Sequence, residues 1–135
     1  MTTTLKSIPA DNLPDHVDDT ERAIAALIVS ELVALGYALS VYDGETFTVK
    51  KSQDAREVCA ALASTEADVI RVRDNAAKTA WPTACPTAPV VGDVTLIWGN
   101  GNALLSDWSS RAGIHGAEFN AAVESLADQI TERYA

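Results

Sequence analysis

A chain of 135 residues with 47% hydrophobic and 21% charged side chains suits one globular domain, of a size that buries roughly two-thirds of the surface its unfolded chain exposes. No apolar run approaches the ~20 residues that cross a bilayer, and the start MTTTLKSIPADNLPDHVDD has neither the pattern of a secretory signal nor that of a transit peptide. The expectation is a cytoplasmic protein with no membrane contact. The formal charge of −9 repels nucleic acid and anionic lipid, because binding phosphate requires Lys and Arg to displace counterions; direct nucleic-acid binding is disfavoured, and a protein partner is the expectation.

Residues 1–17, with Pro9 and Pro14, read as an irregular tail. The segment DDTERAIAALIVSELVALGY then spaces Ile24, Leu27, Ile28, Leu32 and Leu35 as one helical face, with Gly36 where a left-handed C-cap belongs. Asp18 and Glu21, three apart, read as a variant capping box in which the first carboxylate takes orphan amide protons and the second reaches back. SVYDGETFTVK is a hairpin. Placing Leu39, Val41, Phe47 and Val49 on one face demands a three-residue loop, Asp43-Gly44-Glu45, and leaves Ser40, Tyr42, Thr46, Thr48 and Lys50 on the other.

KSQDAREVCAALAST gives a short helix capped by Ser52 and burying Val58, Cys59 and Leu62. DVIRVRD follows as a strand with Ile70 and Val72 alternating against Arg71 and Arg73. Residues 75–92 hold three prolines and little periodicity, and read as a long loop, a feature that in compact domains tends to be functional or disordered. DVTLIWG and ALLSDWS flank GNGN, a turn signal because Asn and Gly tolerate positive φ. Strict alternation puts Val94, Leu96, Trp98, Ala103 and Leu105 on one face and Thr95, Ile97, Leu104, Ser106 and Trp108 on the other. The last helix, GAEFNAAVESLADQITERY, carries the stripe Phe119, Val123, Leu126 and Ile130, opposite Glu124, Asp128 and Glu132. The order α-β-β-α-β-β-β-α, joined by hairpins, predicts a single α+β domain over 1–135 with a five-stranded antiparallel sheet and helices mainly on one face.

The residues that carry chemistry do not group by spacing. His16, Cys59, Cys85 and His115 are isolated from one another, so no zinc site is expected, and Cys85 has no base beside it in sequence. Two cysteines in a cytosolic setting do not predict a disulfide. GNGN precedes a strand, whereas a phosphate cradle needs a helix N-terminus. The carboxylate pairs Asp43 with Glu45, Asp18 with Asp19 and Glu66 with Asp68 read as solvated turn and cap residues; a carboxylate-based hydrolase would use Asp43, Glu45 or Asp107. No catalytic residue, metal or cofactor is therefore assigned.

Two surfaces remain. If the apolar strand positions face the helices, the far face presents Tyr42, Arg71, Arg73, Ile97, Leu104 and Trp108, a mixture typical of protein-interface hot spots. The alternative is the acidic row Glu124, Asp128 and Glu132, spaced about 5.4 Å per turn, near the spacing of phosphates, which would mimic nucleic acid toward a basic groove of a DNA- or RNA-binding host enzyme.

The stretch SVYDGETFTVKKSQDAREVCAALASTEADVIRVRD, followed by LIWGNGNALLSDWS, resembles a group of small uncharacterised acidic proteins encoded by bacterial phages, prophages and other mobile elements. In that group a Tyr-Asp-Gly hairpin, a Ser-Thr-acidic turn, an Arg-x-Arg strand and a Gly-Asn hairpin recur in this order. The resemblance covers about residues 38–109; the loop near 76–92 and the N-terminal extension depart from the pattern. It implies a non-enzymatic accessory protein of a mobile element in the bacterial cytoplasm. Such a protein would bind and inhibit a host protein such as a defence factor, or associate with itself as a dimer.

Overall fold

The computed structural model describes residues 13–74 and 90–134, apart from the side chains of Lys51 and Asn102. Three helices, α1 (Asp19–Ala34), α2 (Ala55–Ala61) and α3 (Ile114–Tyr134), alternate with β1 (Ala38–Tyr42), β2 (Phe47–Ser52), β3 (Ala67–Arg73), β4 (Val90–Ile97) and β5 (Leu105–Ser110). The five strands form one sheet in the order β2-β1-β3-β4-β5, antiparallel at every pairing. The fold is α+β in the element order the periodicity predicts. Helix α1 touches α2 on one side and α3 on the other; α2 lies over β1 and β2, and α3 over β4 and β5. One layer of helices therefore covers one face of the sheet.

Local chemistry sets the helix ends. The Asp18 carboxylate accepts from the Glu21 amide at 2.9 Å, satisfying an orphan donor of α1. At the other end Gly36 has φ 95°, with the Tyr37 amide donating to the Leu32 carbonyl and the Gly36 amide to that of Val33. This paired capping arrangement needs a residue free to be left-handed. Helix α2 is capped by Asp54, two residues beyond the predicted cap. Ser52 instead closes β2 and donates to the Glu57 carboxylate at 2.6 Å.

The core joins Ile24, Ile28 and Leu32 of α1, Val58 and Cys59 of α2, and Phe119, Val123, Leu126 and Ile130 of α3 to the inward strand residues Leu39, Val41, Ile70, Val72, Val94 and Leu96. Gly92 lies beneath Phe119; a Cβ there would overlap the aromatic ring and the Ser109 carbonyl, so the ring packs directly on backbone. Leu13 and Val17 are also buried. The Arg22 guanidinium donates to the carbonyls of Leu13 and Pro14, so this part of the expected tail is irregular yet docked. The rest of that tail, and all of the predicted loop except residues 90–92, lie outside the described residues. Those three belong to β4, which begins earlier than the loop reading placed it.

The Glu21 side chain departs from the predicted capping box. Instead of reaching back to its own helix, its Oε2 accepts from the amides of Gly99, Asn100 and Gly101 at 2.7, 2.9 and 3.1 Å. Three consecutive amides converging on one oxygen make an anion nest, and here the anion belongs to the chain itself. Glu21 is only 3% exposed, and hydrogen bonds to a buried charged acceptor are stronger than neutral ones. Glu21→Ala is accordingly expected to lower unfolding stability by about 3 kcal/mol, read from urea denaturation, whereas Glu45→Ala in an exposed turn should change it by less than about 0.5 kcal/mol.

Candidate functional site

Hairpin geometry decides which side chains occupy the sheet face opposite the helices. In the turn after β1, the Asp43 carboxylate accepts from the amides of Glu45 and Thr46 at 2.9 and 3.0 Å, and the Asp43 amide donates to the Thr46 carbonyl. These backbone bonds hold the Asp43 carboxyl below its ordinary pKa. The loop is thus four residues long, with Tyr42 paired to Phe47. Val41 pairs with Val49, so the ladder shifts by one residue between the two pairs. A one-residue bulge reverses the side-chain alternation. Val49 stays inward, but Phe47 emerges on the face opposite the helices, contrary to the inward position alternation predicts.

There the Tyr42 and Phe47 rings lie 5.1 Å apart, inclined at 52°. The Arg71 guanidinium stands 5.9 Å from the Phe47 ring centre, within cation–π range, while its Nε donates to Asp93 Oδ1 at 3.0 Å. That bond to Asp93 raises the arginine's pKa further. Tyr42, Phe47, Val69 and Arg71 line a shallow groove of about 240 Å³. The Tyr42 hydroxyl donates to the Gly44 carbonyl at 3.1 Å, which fixes the ring at the groove's end. Ile97, 37% exposed, belongs to the same face, since Ala67 and Ile97 pair two residues from Val69 and Thr95. Arg73 shares this face at the far end of β3, opposite Ala38.

Two residues assigned to this face by alternation lie elsewhere. Leu104 is fully buried. The GNGN turn continues into a single helical turn, Gly101–Ala103, and Leu104 caps it with helical backbone angles, so it leaves the pleat and enters the core. Trp108 is opposite Val94 on the helix side, because the ladder shifts between the pairs Thr95–Asp107 and Leu96–Leu105. Its indole Nε1 donates to Asn120 Oδ1 of α3 at 2.9 Å. The residues that join Tyr42 and Arg71 on this face are instead Phe47 of the β2 edge and Val69 of β3. The signal that finds Phe47 is the Asx turn: an Asp whose side chain accepts from the amides two and three residues on lengthens the loop and shifts the register.

The other candidates do not converge. Glu124, Asp128 and Glu132 are exposed along α3, as the stripe predicts. Asp107 accepts from the Trp108 amide, and Asp43 is bound in its turn. Cys59 is buried, and burial pushes its thiol up to about 12, the opposite of what activates a nucleophile. Cys85 and Trp81 lie outside the described residues. Tertiary folding does bring His115 to Asp74, Nδ1 to Oδ2 at 3.1 Å, a contact no sequence spacing announces; within α3 the same nitrogen lies 3.3 Å from Glu118, three residues on. Among the described residues no group of three or more His, Cys, Asp or Glu is arranged to hold a metal ion. No helix among them is long and apolar enough to cross a membrane. Comparison with family models, curated proteins and solved structures finds no match to this chain.

Asp68 lies on the helix side of β3, opposite Leu96, and is 1% exposed. Burial raises its pKa above the ordinary 3.8, outweighing the bonds from Ala63 and Trp98 that act the other way. Protonated Asp68 thus favours the fold fully below pH 3.8, and that contribution is lost as pH rises through the raised value. Asp68→Asn removes this titration. Urea denaturation of both proteins across the acid range should show the variant gaining on the wild type as pH climbs above 3.8; a difference independent of pH would contradict it.

Proposed function

We propose that this chain is a non-enzymatic protein-binding module that docks its partner on the sheet face opposite the helices, at the groove formed by Tyr42, Phe47, Val69 and Arg71. The observation that carries this reading is the Tyr42–Phe47 ring pair with the Arg71 guanidinium beside it, on the face that the three helices leave uncovered. Aromatic rings and arginine supply most of the binding energy at protein interfaces, because they present large rigid area together with a polar handle. Asp93 already engages Arg71, so the charge comes to the interface largely neutralised, and docking would depend on burying rings and aliphatic stems. Self-association through this face is the simplest form. A host protein as target, and an inhibitory accessory role in a mobile element, follow from the resemblance of residues 38–109 and belong to the same proposal.

The exposed row Glu124, Asp128 and Glu132 on α3 supports a second reading, in which the chain occupies a basic groove of a nucleic-acid-binding enzyme. Salt separates the two, since exposed charges are screened over about 8 Å at physiological ionic strength and apolar contacts are not. The test is sedimentation velocity of the pure protein, together with capture from a bacterial lysate at low and high salt. Under the sheet-face reading Phe47→Ala weakens association by about 30-fold, equivalent to about 2 kcal/mol, with little salt dependence, and reversing the charge of Glu124, Asp128 and Glu132 changes nothing. Association abolished by salt and by the charge reversal, but untouched by Phe47→Ala, would transfer the function to α3.

A further inference from the structure

On the helix side of the sheet lies a second, larger concavity of about 630 Å³, within the usual range of small-molecule sites. Three segments wall it: the approach to α1 with its first turn, the Ala63–Glu66 turn after α2, and Trp98 with Gly99 at the end of β4. Among the described residues lining it, the charged groups are the carboxylates of Asp18, Glu21 and Glu66, His16 is the one other titratable side chain, and no Lys or Arg contributes. Trp98 supplies the aromatic wall. Its amide donates to the Glu66 carbonyl at 2.9 Å, which ties two of the three walls together.

A fourth carboxylate stands behind the lining. Asp68 Oδ2 accepts from the Ala63 amide and from the Trp98 indole Nε1, both at 2.8 Å, and both donors belong to residues of the cleft wall. Its other oxygen, Oδ1, is buried with no hydrogen-bond partner among the described residues. Leaving a buried carboxylate oxygen unsatisfied costs free energy, and Ala63 is held at φ 63°, a left-handed conformation that a non-glycine residue adopts at a cost. An indole whose N–H is already given to a carboxylate keeps its π-face for a cation. The wall therefore joins three carboxylates and an indole, and a fourth, under-solvated carboxylate is hydrogen-bonded directly to it.

We infer that this cleft is a binding site for an organic cation, an alkylammonium or guanidinium group on a short aliphatic stem, held by Asp18 and Glu66 at the rim with the stem against Trp98. A positive charge there offsets the desolvation of Asp68 across one layer of side chains, where the low local dielectric strengthens the attraction. Glu21 contributes field rather than contact, since its Oε2 is committed to the amides of Gly99, Asn100 and Gly101. The same chemistry is offered by a free amine and by a lysine or arginine side chain of a protein. This site is separate from the sheet-face groove, so its failure leaves the binding reading of that groove untouched.

The test follows the Trp98 indole N–H resonance of the full-length ¹⁵N-labelled protein, assigned with Trp98→Phe, during titration at constant ionic strength. Butylammonium and a blocked Gly-Lys-Gly peptide are the cationic probes, 1-butanol the neutral one and butyrate the anion. The expected result is a saturable shift with both cations, with affinity on the order of millimolar or tighter, and at least about tenfold weaker binding of butanol. Asp18→Asn keeps the helix cap, and Glu66→Gln alters an exposed turn; together they should weaken cation binding by about tenfold or more with the rest of the spectrum unchanged. Should the double variant lose its native spectrum, Glu66→Gln alone serves, with a severalfold loss expected. Tighter binding of the peptide assigns the ligand to a protein's basic side chain, tighter binding of the amine to a free metabolite, and either supports the site. Equal shifts with butanol, no saturation with either cation, or unchanged binding by the carboxamide variants would overturn it.

Discussion

Glu21 is the joint on which this architecture turns. Its carboxylate is inserted into the three amides of the β4–β5 turn, linking residues about eighty positions apart, the first turn of α1 and the far end of the sheet. A buried charge must be hydrogen-bonded, and a tight turn with outward amides needs acceptors; each satisfies the other. With α1 fixed in this way, α2 and α3 pack on either side of it and fill one face of the sheet. The groove on one face and the cleft beside α1 are both consequences of where that helix layer stops.

The two register shifts then decide what each face offers. Between Val41 and Tyr42 the shift sends Phe47 outward beside Tyr42 and Arg71; between Thr95 and Leu96 it turns Trp108 inward onto Asn120. One bulge thus builds the half-buried aromatic pair on the outer face, and the other turns an aromatic toward the helices. A sheet with perfect alternation would have left Tyr42 without Phe47 on this face and placed Trp108 at the opposite edge of the sheet. Bulges re-aim side chains at the margins of sheets, and here they concentrate aromatic area on β1 and β2, where an arginine from β3 can reach it.

What the sequence discloses follows from how local each determinant is. Helix periodicity, the Asp18 cap, the Gly36 terminus and the alternation of Ile70 and Val72 depend on near neighbours, and the observed elements agree with them. The stripe Phe119, Val123, Leu126 and Ile130 is legible for the same reason. Register is different, because one inserted residue reverses a strand. The Asp43 turn and the helical turn at Gly101–Ala103 each alter the count, and strict alternation misplaced Phe47, Leu104 and Trp108. Spacing makes Glu21 a capping-box partner, whereas its acceptor role toward Gly99, Asn100 and Gly101 lies in the third dimension. The same holds for His115 with Asp74 and for Asp68 with Trp98: contacts that no spacing encodes.

Binding at the sheet face opposite the helices requires that face to be accessible, with Tyr42 and Phe47 on it and Leu104 and Trp108 off it. Broadening of assigned side-chain resonances by a soluble paramagnetic agent measures this directly. The rings of Tyr42 and Phe47 and the Ile97 methyls should broaden strongly, while the Leu104 methyls stay sharp and the Trp108 ring is affected far less. Protected Tyr42 and Phe47 rings in the monomeric protein, or a Trp108 ring as exposed as Phe47, would contradict it.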